Sequence, residues 1–256
     1  MQKIITWNVN SVNVRLERLL GVLARHSPDI LCLQELKCVD EGFPHAEVAA
    51  AGYHAAVFGQ KAYNGVAILS RQPPVEVLRG FADGVDDPAA RLLTAWFPGL
   101  TVMSAYVPNG QATGTDKYYY KLNWLARLCR YLRRHHSPQD ALLLLGDFNV
   151  APADLDVHDP AQWRDKILCS GPERAAFQEV LSFGLVDAFR RLDMATEGYT
   201  WWDYRAGGWS RNQGLRIDLA LATTPTADKL MRCYVDLGER EGEKPSDHAP
   251  LIVEIS

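Results

Sequence analysis

Ala141-Leu142-Leu143-Leu144-Leu145-Gly146-Asp147-Phe148-Asn149 is the stretch that decides the fold. Residues 141 to 145 are wholly apolar and the run is short, which predicts a strand covered on both faces. It stops at Gly146-Asp147. Before it, Lys117 to His136 is predicted to be a long helix with Leu122, Leu125, Leu128, Cys129 and Leu132 on its apolar side. Thr101 to Val107 is predicted to be a strand that runs into the turn signal Pro108-Asn109-Gly110. After it, Pro172 starts a helix reaching Phe183, since proline suits a first helical turn. Ile217 to Ala222 and Leu251 to Ile255 are expected as late strands. Toward the N-terminus, Lys3 to Trp7, Ile30 to Leu33 and Val66 to Ser70 are expected as strands. Ser11 or Asn13 is expected to cap a helix whose Leu16, Leu19, Leu20 and Leu23 share one face and which Pro28 closes. Strands interleaved with covering helices define an α/β layered fold. Two packed sheets with helices outside would hold this many strands, although periodicity alone does not choose that over a single sheet. No linker, repeat or low-complexity tract divides residues 1–256, so one domain is expected.

The bulk properties narrow the class. A chain of 256 residues buries a core without a covalent staple. A formal net charge of -4 and a pI near 6.0 argue against a passive DNA coat protein. They do not argue against a nuclease, because carboxylates that hold metal ions lower the net charge without removing a local basic face. The cysteines Cys32, Cys38, Cys129, Cys169 and Cys233 are odd in number and scattered, with no CxxC pair. Reduced thiols in a cytoplasmic protein are therefore expected. The opening MQKIITWNVN lacks a signal-peptide layout. No apolar run approaches the roughly 20 residues of a membrane span.

Polar side chains recur where the apolar strands run out. Asn8 and Asn10 follow Ile4 to Trp7, Glu35 follows Ile30 to Leu33, and Asp147 and Asn149 follow Leu142 to Leu145. Asp218 lies inside the Ile217 to Ala222 stretch, and Asp247-His248 precedes the last strand. Any one of these alone reads as a turn former or a local backbone bond. Their number and shared placement make them a candidate site, since strand ends on one sheet edge are a rigid platform. Two like charges at 4 Å repel by about 4 kcal/mol at an effective dielectric of 20. A hard cation such as Mg²⁺ relieves that repulsion and prefers oxygen ligands.

Seven short motifs in order along almost the whole chain carry a resemblance. They are Trp7-Asn8-Val9-Asn10-Ser11, Leu33-Gln34-Glu35-Leu36-Lys37, Tyr106-Val107-Pro108-Asn109-Gly110 and Gly146-Asp147-Phe148-Asn149, then Tyr199 to Arg205, Asn212 to Asp218, and Ser246-Asp247-His248-Ala249-Pro250. The chain resembles the exonuclease III family of DNA-repair nucleases, within the wider endonuclease/exonuclease/phosphatase superfamily. The resemblance implies a DNase I-like four-layer α/β/β/α sandwich, two packed mixed sheets flanked by helices. It implies an Mg²⁺-dependent phosphodiesterase, with Mn²⁺ able to substitute. The substrate would be double-stranded DNA with abasic sites, nicks or blocked 3′ ends, cut by a monomer. Glu35 is implied as the main metal ligand with Asn8 and Asp247 nearby. Asp147 would activate or orient the attacking water, and Asn149 would hold the phosphate or the nucleophile; both would also border the metal. Tyr106 would contact the scissile phosphate or assist as an acid. His248 would pair with Asp218 and contact a phosphate oxygen.

The superfamily also includes lipid and inositol phosphatases, so the metal core does not name the substrate. Tyr199 to Asp218 discriminates, because Trp201, Trp202, Tyr204 and Trp209 interleave with Arg205, Arg211 and Arg216. Such a mixture suits stacking on a base or sugar with contacts to flanking phosphates. One tryptophan, by resemblance Trp201, is expected to face the nucleotide. Asn109, Asn212, Arg205, Arg211 and Arg216 are expected near the DNA. Lys117-Tyr118-Tyr119-Tyr120-Lys121 reads as the solvated start of a helix, with lining of the DNA groove as the alternative. Arg133 to His136 reads as ordinary helix-end charge. Leu215 stands where some relatives place a tryptophan. If Leu168 points into the groove, it would hinder a flipped abasic sugar while leaving 3′ ends accessible. Two activity profiles stay open: abasic-site endonuclease, or mainly 3′–5′ exonuclease and 3′-phosphatase or phosphodiesterase. A lipid or inositol phosphate hydrolase and a non-catalytic DNA-binding relative are the other readings; the second needs a broken catalytic set, and every matched position is intact.

Overall fold

Leu142 and Leu144 pack with Leu125, Leu128 and Phe177, while Leu143 and Leu145 pack with Ile4, Ile30, Ile68 and Val253. This alternation along one strand separates helix-facing from sheet-facing residues and fixes the layers. The computed structural model describes residues 1–256 apart from the side chain of Ala206.

One six-stranded sheet contains β1 (Gln2–Asn8), β2 (Ile30–Gln34), β3 (His54–Phe58), β4 (Val66–Ser70), β13 (Leu230–Val235) and β14 (Leu251–Ile255) in the order β13-β14-β1-β2-β4-β3. The other contains β5 (Glu76–Arg79), β6 (Leu92–Phe97), β7 (Leu100–Tyr106), β8 (Leu142–Asp147), β9 (Leu185–Asp187) and β12 (Asp218–Thr223) in the order β5-β6-β7-β8-β12-β9. A short ribbon of β10 (Trp201–Trp202) and β11 (Gly214–Leu215) stands apart. Each large sheet is mixed, with β1 parallel to β2 and β7 parallel to β8.

The inner faces of the two sheets meet through Ile4, Ile30, Val66 and Ile68 on one side and Leu93, Val102, Leu143 and Leu145 on the other. Outside the first sheet, Ile5, Trp7 and Leu31 pack on helix α1 (Leu16–His26) and on Val48 of α2 (His45–Ala50). Outside the second, α3 (Asp116–His135) and α5 (Gly171–Leu181) cover Leu142, Leu144 and Leu219. The short helices α4 (Pro160–Trp163), α6 (Ala188–Leu192) and α7 (Thr224–Ala227) punctuate the loops. The molecule is thus a four-layer α/β/β/α sandwich.

Neither Ser11 nor Asn13 caps α1. Arg15 stands at its N-cap without a side-chain bond. Ser11 is in the left-handed region at φ 86, its N–H donating to the Glu35 carbonyl, and Asn13 donates to the Gly42 carbonyl. The segment is used to brace the loop after β2 instead. Helix α3 begins at Asp116, with the Thr115 hydroxyl accepting from the Tyr118 N–H. The five thiols are unpaired. No helix among the described residues is long and apolar enough to cross a membrane.

Candidate active site

Register brings the polar strand ends together. Asn8 at the end of β1 pairs with Gln34 at the end of β2, and Glu35 is the next residue. In the facing sheet, Tyr106 of β7 lies beside Asp147 of β8, and Asp218 of β12 lies beside Asp147 on the other flank. Gly146 permits this: a Cβ there would sit 1.9 Å from the Ala105 carbonyl oxygen, so only glycine lets β7 and β8 approach at the point where Asp147 is aimed. Glu35, Asn10 and Asn149 all have positive φ, of 54°, 45° and 49°. Such left-handed non-glycine conformations cost of order 1–3 kcal/mol each and persist where the surroundings hold them.

The side chains form one connected cup. The Asn8 amide nitrogen donates to Glu35 Oε1 and to Asp147 Oδ2, both at 2.9 Å, while its oxygen accepts the Asn10 N–H at 3.0 Å. Asn8 is therefore a donor tying two carboxylates together, and in this arrangement it turns its nitrogen, not an oxygen ligand, toward the cup. The Tyr106 hydroxyl donates to Glu35 Oε1 at 2.9 Å. The Asn149 N–H donates to Asp147 Oδ1 at 2.9 Å, and its amide bridges the Val107 carbonyl and Asn109. His248 donates from Nδ1 to Asp218 Oδ2 at 2.8 Å and turns Nε2 toward Asp147 Oδ2 at 3.7 Å. The Thr200 hydroxyl accepts the N–H groups of Ile217 and Asp218, which fixes the strand carrying Asp218.

Electrostatics divides these groups into roles. Burial, reinforced by the Asp218 charge, raises the Asp147 carboxyl to about 7. Burial alone would lower His248, but Asp218 and Asp147 outweigh it and raise the imidazole to about 10, so it is a cation at neutral pH. Burial works to raise Glu35, and the ion pair with Lys37 at 2.9 Å and the Asn8 bond overcome it, holding that carboxyl below its usual value. Desolvation, with the charges of Glu35 and Asp147, keeps Tyr106 a phenol well beyond the ordinary range.

Ligand atoms of Glu35, Asp147 and His248 lie within 4.8 Å of one another. A protonated imidazole does not bind a cation, so the oxygens of Glu35 and Asp147 are the donors that fit one. An all-oxygen set around buried like charges suits a hard divalent ion. Asp247 lies outside that cluster. Its carboxylate is occupied by the Asn10 amide at 2.9 Å and the Trp201 indole N–H at 3.0 Å.

Compared with known protein families, residues 5–248 match the Endonuclease/Exonuclease/phosphatase family. The chain belongs to that family. It is 36% identical over 265 aligned residues to the exodeoxyribonuclease III of Haemophilus influenzae, covering 99% of both chains. Among solved structures it is similar to the 3′ phosphatase NExo from Neisseria bound to a product DNA hairpin, with a TM-score of 0.96, 44% identity and full coverage of both chains. It is equally similar in shape to an AP endonuclease from Archaeoglobus fulgidus, with a TM-score of 0.96, 40% identity and full coverage of both chains.

This family member's aromatic segment divides sharply. Trp202 is buried against Trp209 and donates to Asn212 at 3.2 Å, whereas Trp201 is half-buried and bridges to His248. Arg205, paired with Asp203, and Arg211 are exposed, as is Asn109 at the rim. Arg216 is a correction: it is fully buried, bonded to Asp156 at 2.7 Å and Asp187 at 2.8 Å, and cannot reach DNA. Two carboxylates in its path capture the guanidinium inside the fold. Leu168 is a second correction. It does not project into a groove but is 4% exposed, packed with Ala151, Val157, Leu215 and Ile217 beside Trp201. Its φ of 73° turns the chain so that the side chain folds inward.

The residues that sequence reasoning missed are cations. Lys37 received no role, yet it pairs with Glu35. Lys121, expected as solvated or groove-lining, is neither. It is fully buried, donating to the Asn149 carbonyl at 2.6 Å and pairing with Glu173. A signal existed, because Lys121 is three residues after buried Tyr118 and three before buried Trp124, on the core face of α3.

Proposed function

We propose that this chain is an Mg²⁺-dependent DNA-repair phosphodiesterase that hydrolyses phosphate esters of duplex DNA at abasic sites, at 3′ termini or at both. The observation that carries this is the convergence of Glu35, Asp147, the Asp218–His248 pair, Tyr106 and Asn149 in one cup drawn from both sheets. The exodeoxyribonuclease, 3′ phosphatase and AP endonuclease relatives support the same reading. Because both sheets contribute to one cup, residues 1–256 are taken as one catalytic domain; we further propose that it acts as a monomer in the cytoplasm.

Glu35 and Asp147 would hold the Mg²⁺, with Mn²⁺ as a substitute, and the bound ion would polarise the phosphoryl oxygens and offset their developing charge. Burial raises Asp147 to about 7 before an ion binds, and beside the bound ion its carboxylate would orient the attacking water and accept its proton. Protonated His248, held by Asp218, presents Nε2–H to a phosphate oxygen as charge accumulates. Asn149 retains one amide N–H beyond its bond to Val107, available to orient the nucleophile or phosphate. Tyr106 stays a phenol and so remains a hydrogen-bond donor throughout. Trp201 beside His248 offers a flat apolar face to the nucleotide, which suits DNA better than a lipid or inositol headgroup. Exposed Arg205 and Arg211 and the amides of Asn109 and Asn212 would border the bound duplex.

Labelled duplexes carrying an internal abasic site, a 3′-phosphate, a recessed 3′ end or a mismatched 3′ end, each incubated with Mg²⁺, Mn²⁺ or EDTA, test this reading. Metal-dependent release from at least one DNA substrate is expected. DNA left intact in every metal, or cut equally in EDTA, would defeat it.

A further inference from the structure

Lys121 and Glu173 are both fully buried, and their ion pair joins α3 to α5 in the second sheet's outer layer. Burying two charges costs several kcal/mol per ion before their attraction is counted, and apolar residues of similar size often do as well for stability. What the pair touches is more informative. The three ammonium protons go to Glu173, to the Asn149 carbonyl at 2.6 Å and to the Asn109 carbonyl at 3.2 Å. Glu173 in turn accepts the Leu168 N–H at 3.0 Å and the Ser170 N–H at 3.1 Å. Three loops meet there, and each carries a residue at or beside the cup: Asn109, Asn149 and Leu168. Gly110 supplies the room, since a Cβ there would stand 3.1 Å from Lys121 Cδ.

We propose that Lys121, neutralised by Glu173, is a positioning residue for the reaction, fixing the backbone of Asn149 and Asn109 so that their amides face the scissile phosphate. This rests on the function proposed above. Asn149 needs such a hold because its backbone is left-handed at φ 49, while its amide must stay within hydrogen-bond reach of the reacting atoms. A misplacement of about 1 Å in such a group costs about a hundredfold in rate.

The test is the double substitution Lys121→Met with Glu173→Gln, which removes both charges and keeps an acceptor for the Leu168 and Ser170 N–H groups. Steady-state release of a 3′-terminal nucleotide in Mg²⁺ is measured beside thermal unfolding. The expected result is a folded protein whose kcat falls about tenfold or more while KM for DNA changes less than about threefold. Glu173→Gln alone leaves Lys121 on both carbonyls and should retain several times more kcat than the double variant. The comparison variant Arg133→Gln with Glu179→Gln removes the exposed ion pair that also joins α3 to α5, and its kcat should match wild type. A folded double variant with kcat within twofold of wild type would overturn the proposal. So would a double variant that fails to fold, or an equal loss in the Arg133–Glu179 variant, since either assigns the pair to helix packing. Wild-type protein that leaves DNA intact would instead defeat the functional reading itself.

Discussion

Asp218→Asn removes one charge and almost no volume from the floor of the site. The amide oxygen can still accept from His248 Nδ1, now at 2.8 Å from a carboxylate oxygen, and the Thr200 hydroxyl still holds the strand. What disappears is a buried ion pair worth about 4 kcal/mol at an effective dielectric of 20, taking the delocalised charges as about 4 Å apart. At 1.36 kcal/mol per decade that is about three decades in the imidazole protonation equilibrium. His248 is protonated up to about pH 10 in the wild type, so in the variant its charge should be lost within the ordinary assay range. The alkaline limb of the kcat profile therefore moves toward acid. Measured from pH 5.5 to 9.5 in saturating Mg²⁺ on a recessed 3′ duplex, the variant should lose about tenfold or more relative to wild type at the alkaline end and recover much of the difference near pH 6. A profile parallel to wild type, merely lowered at every pH, would refute the assignment of His248 as a cation that depends on Asp218.

The two adjacent tryptophans should separate cleanly. Trp202→Ala should destabilise the fold by about 3–5 kcal/mol in denaturant titration because it empties a buried site, whereas Trp201→Ala should mainly raise KM for duplex DNA, by about tenfold if it loses roughly 1–3 kcal/mol of stacking. Arg216→Gln leaves Asp156 and Asp187 short of a buried partner and should cost about 3–5 kcal/mol of stability; DNA affinity of the folded protein and its salt dependence, measured by fluorescence anisotropy, should not change. Leu168→Ala empties part of the buried cluster with Val157, Leu215 and Ile217 and should cost about 2–5 kcal/mol of stability in denaturant titration, while the ratio of abasic-site incision to 3′-nucleotide release should not change.

The layered fold could be read from residues whose periodicity is strong. The Leu142 to Leu145 run needs cover on both sides, and it lies between helices on one face and the other sheet on the opposite face. Leu92–Phe97, an interior strand buried from Leu92 to Ala95, goes unread because Thr94 interrupts its apolar run; the other strands left unread lack such a signature. Glu76–Arg79 and His54–Phe58 are edge strands with exposed or half-exposed residues, and Leu230–Val235 is an edge strand with a register shift, so neither continuous burial nor strict alternation marks them. The ribbon of Trp201–Trp202 and Gly214–Leu215 is too short to show any period. The site was visible because its members sit at strand ends in short motifs. The burial of Arg216 is not legible in the sequence because its captors Asp156 and Asp187 are distant along the chain, so only folding reveals that the guanidinium is already neutralised. The helical spacing of Lys121 from Tyr118 and Trp124 marks its burial, but its counter-charge, 52 residues away, is not legible.

Glu35 and Asp147, brought together by register from two different sheets, can be removed at once. The rate of 3′-nucleotide release by the Glu35→Ala, Asp147→Ala double variant in Mg²⁺, beside wild type with and without chelator, tests whether these strand-end carboxylates hold a cation against a DNA phosphate. The expected rate equals that of chelated wild type. Cleavage undiminished in the folded double variant, still dependent on Mg²⁺, would contradict the account.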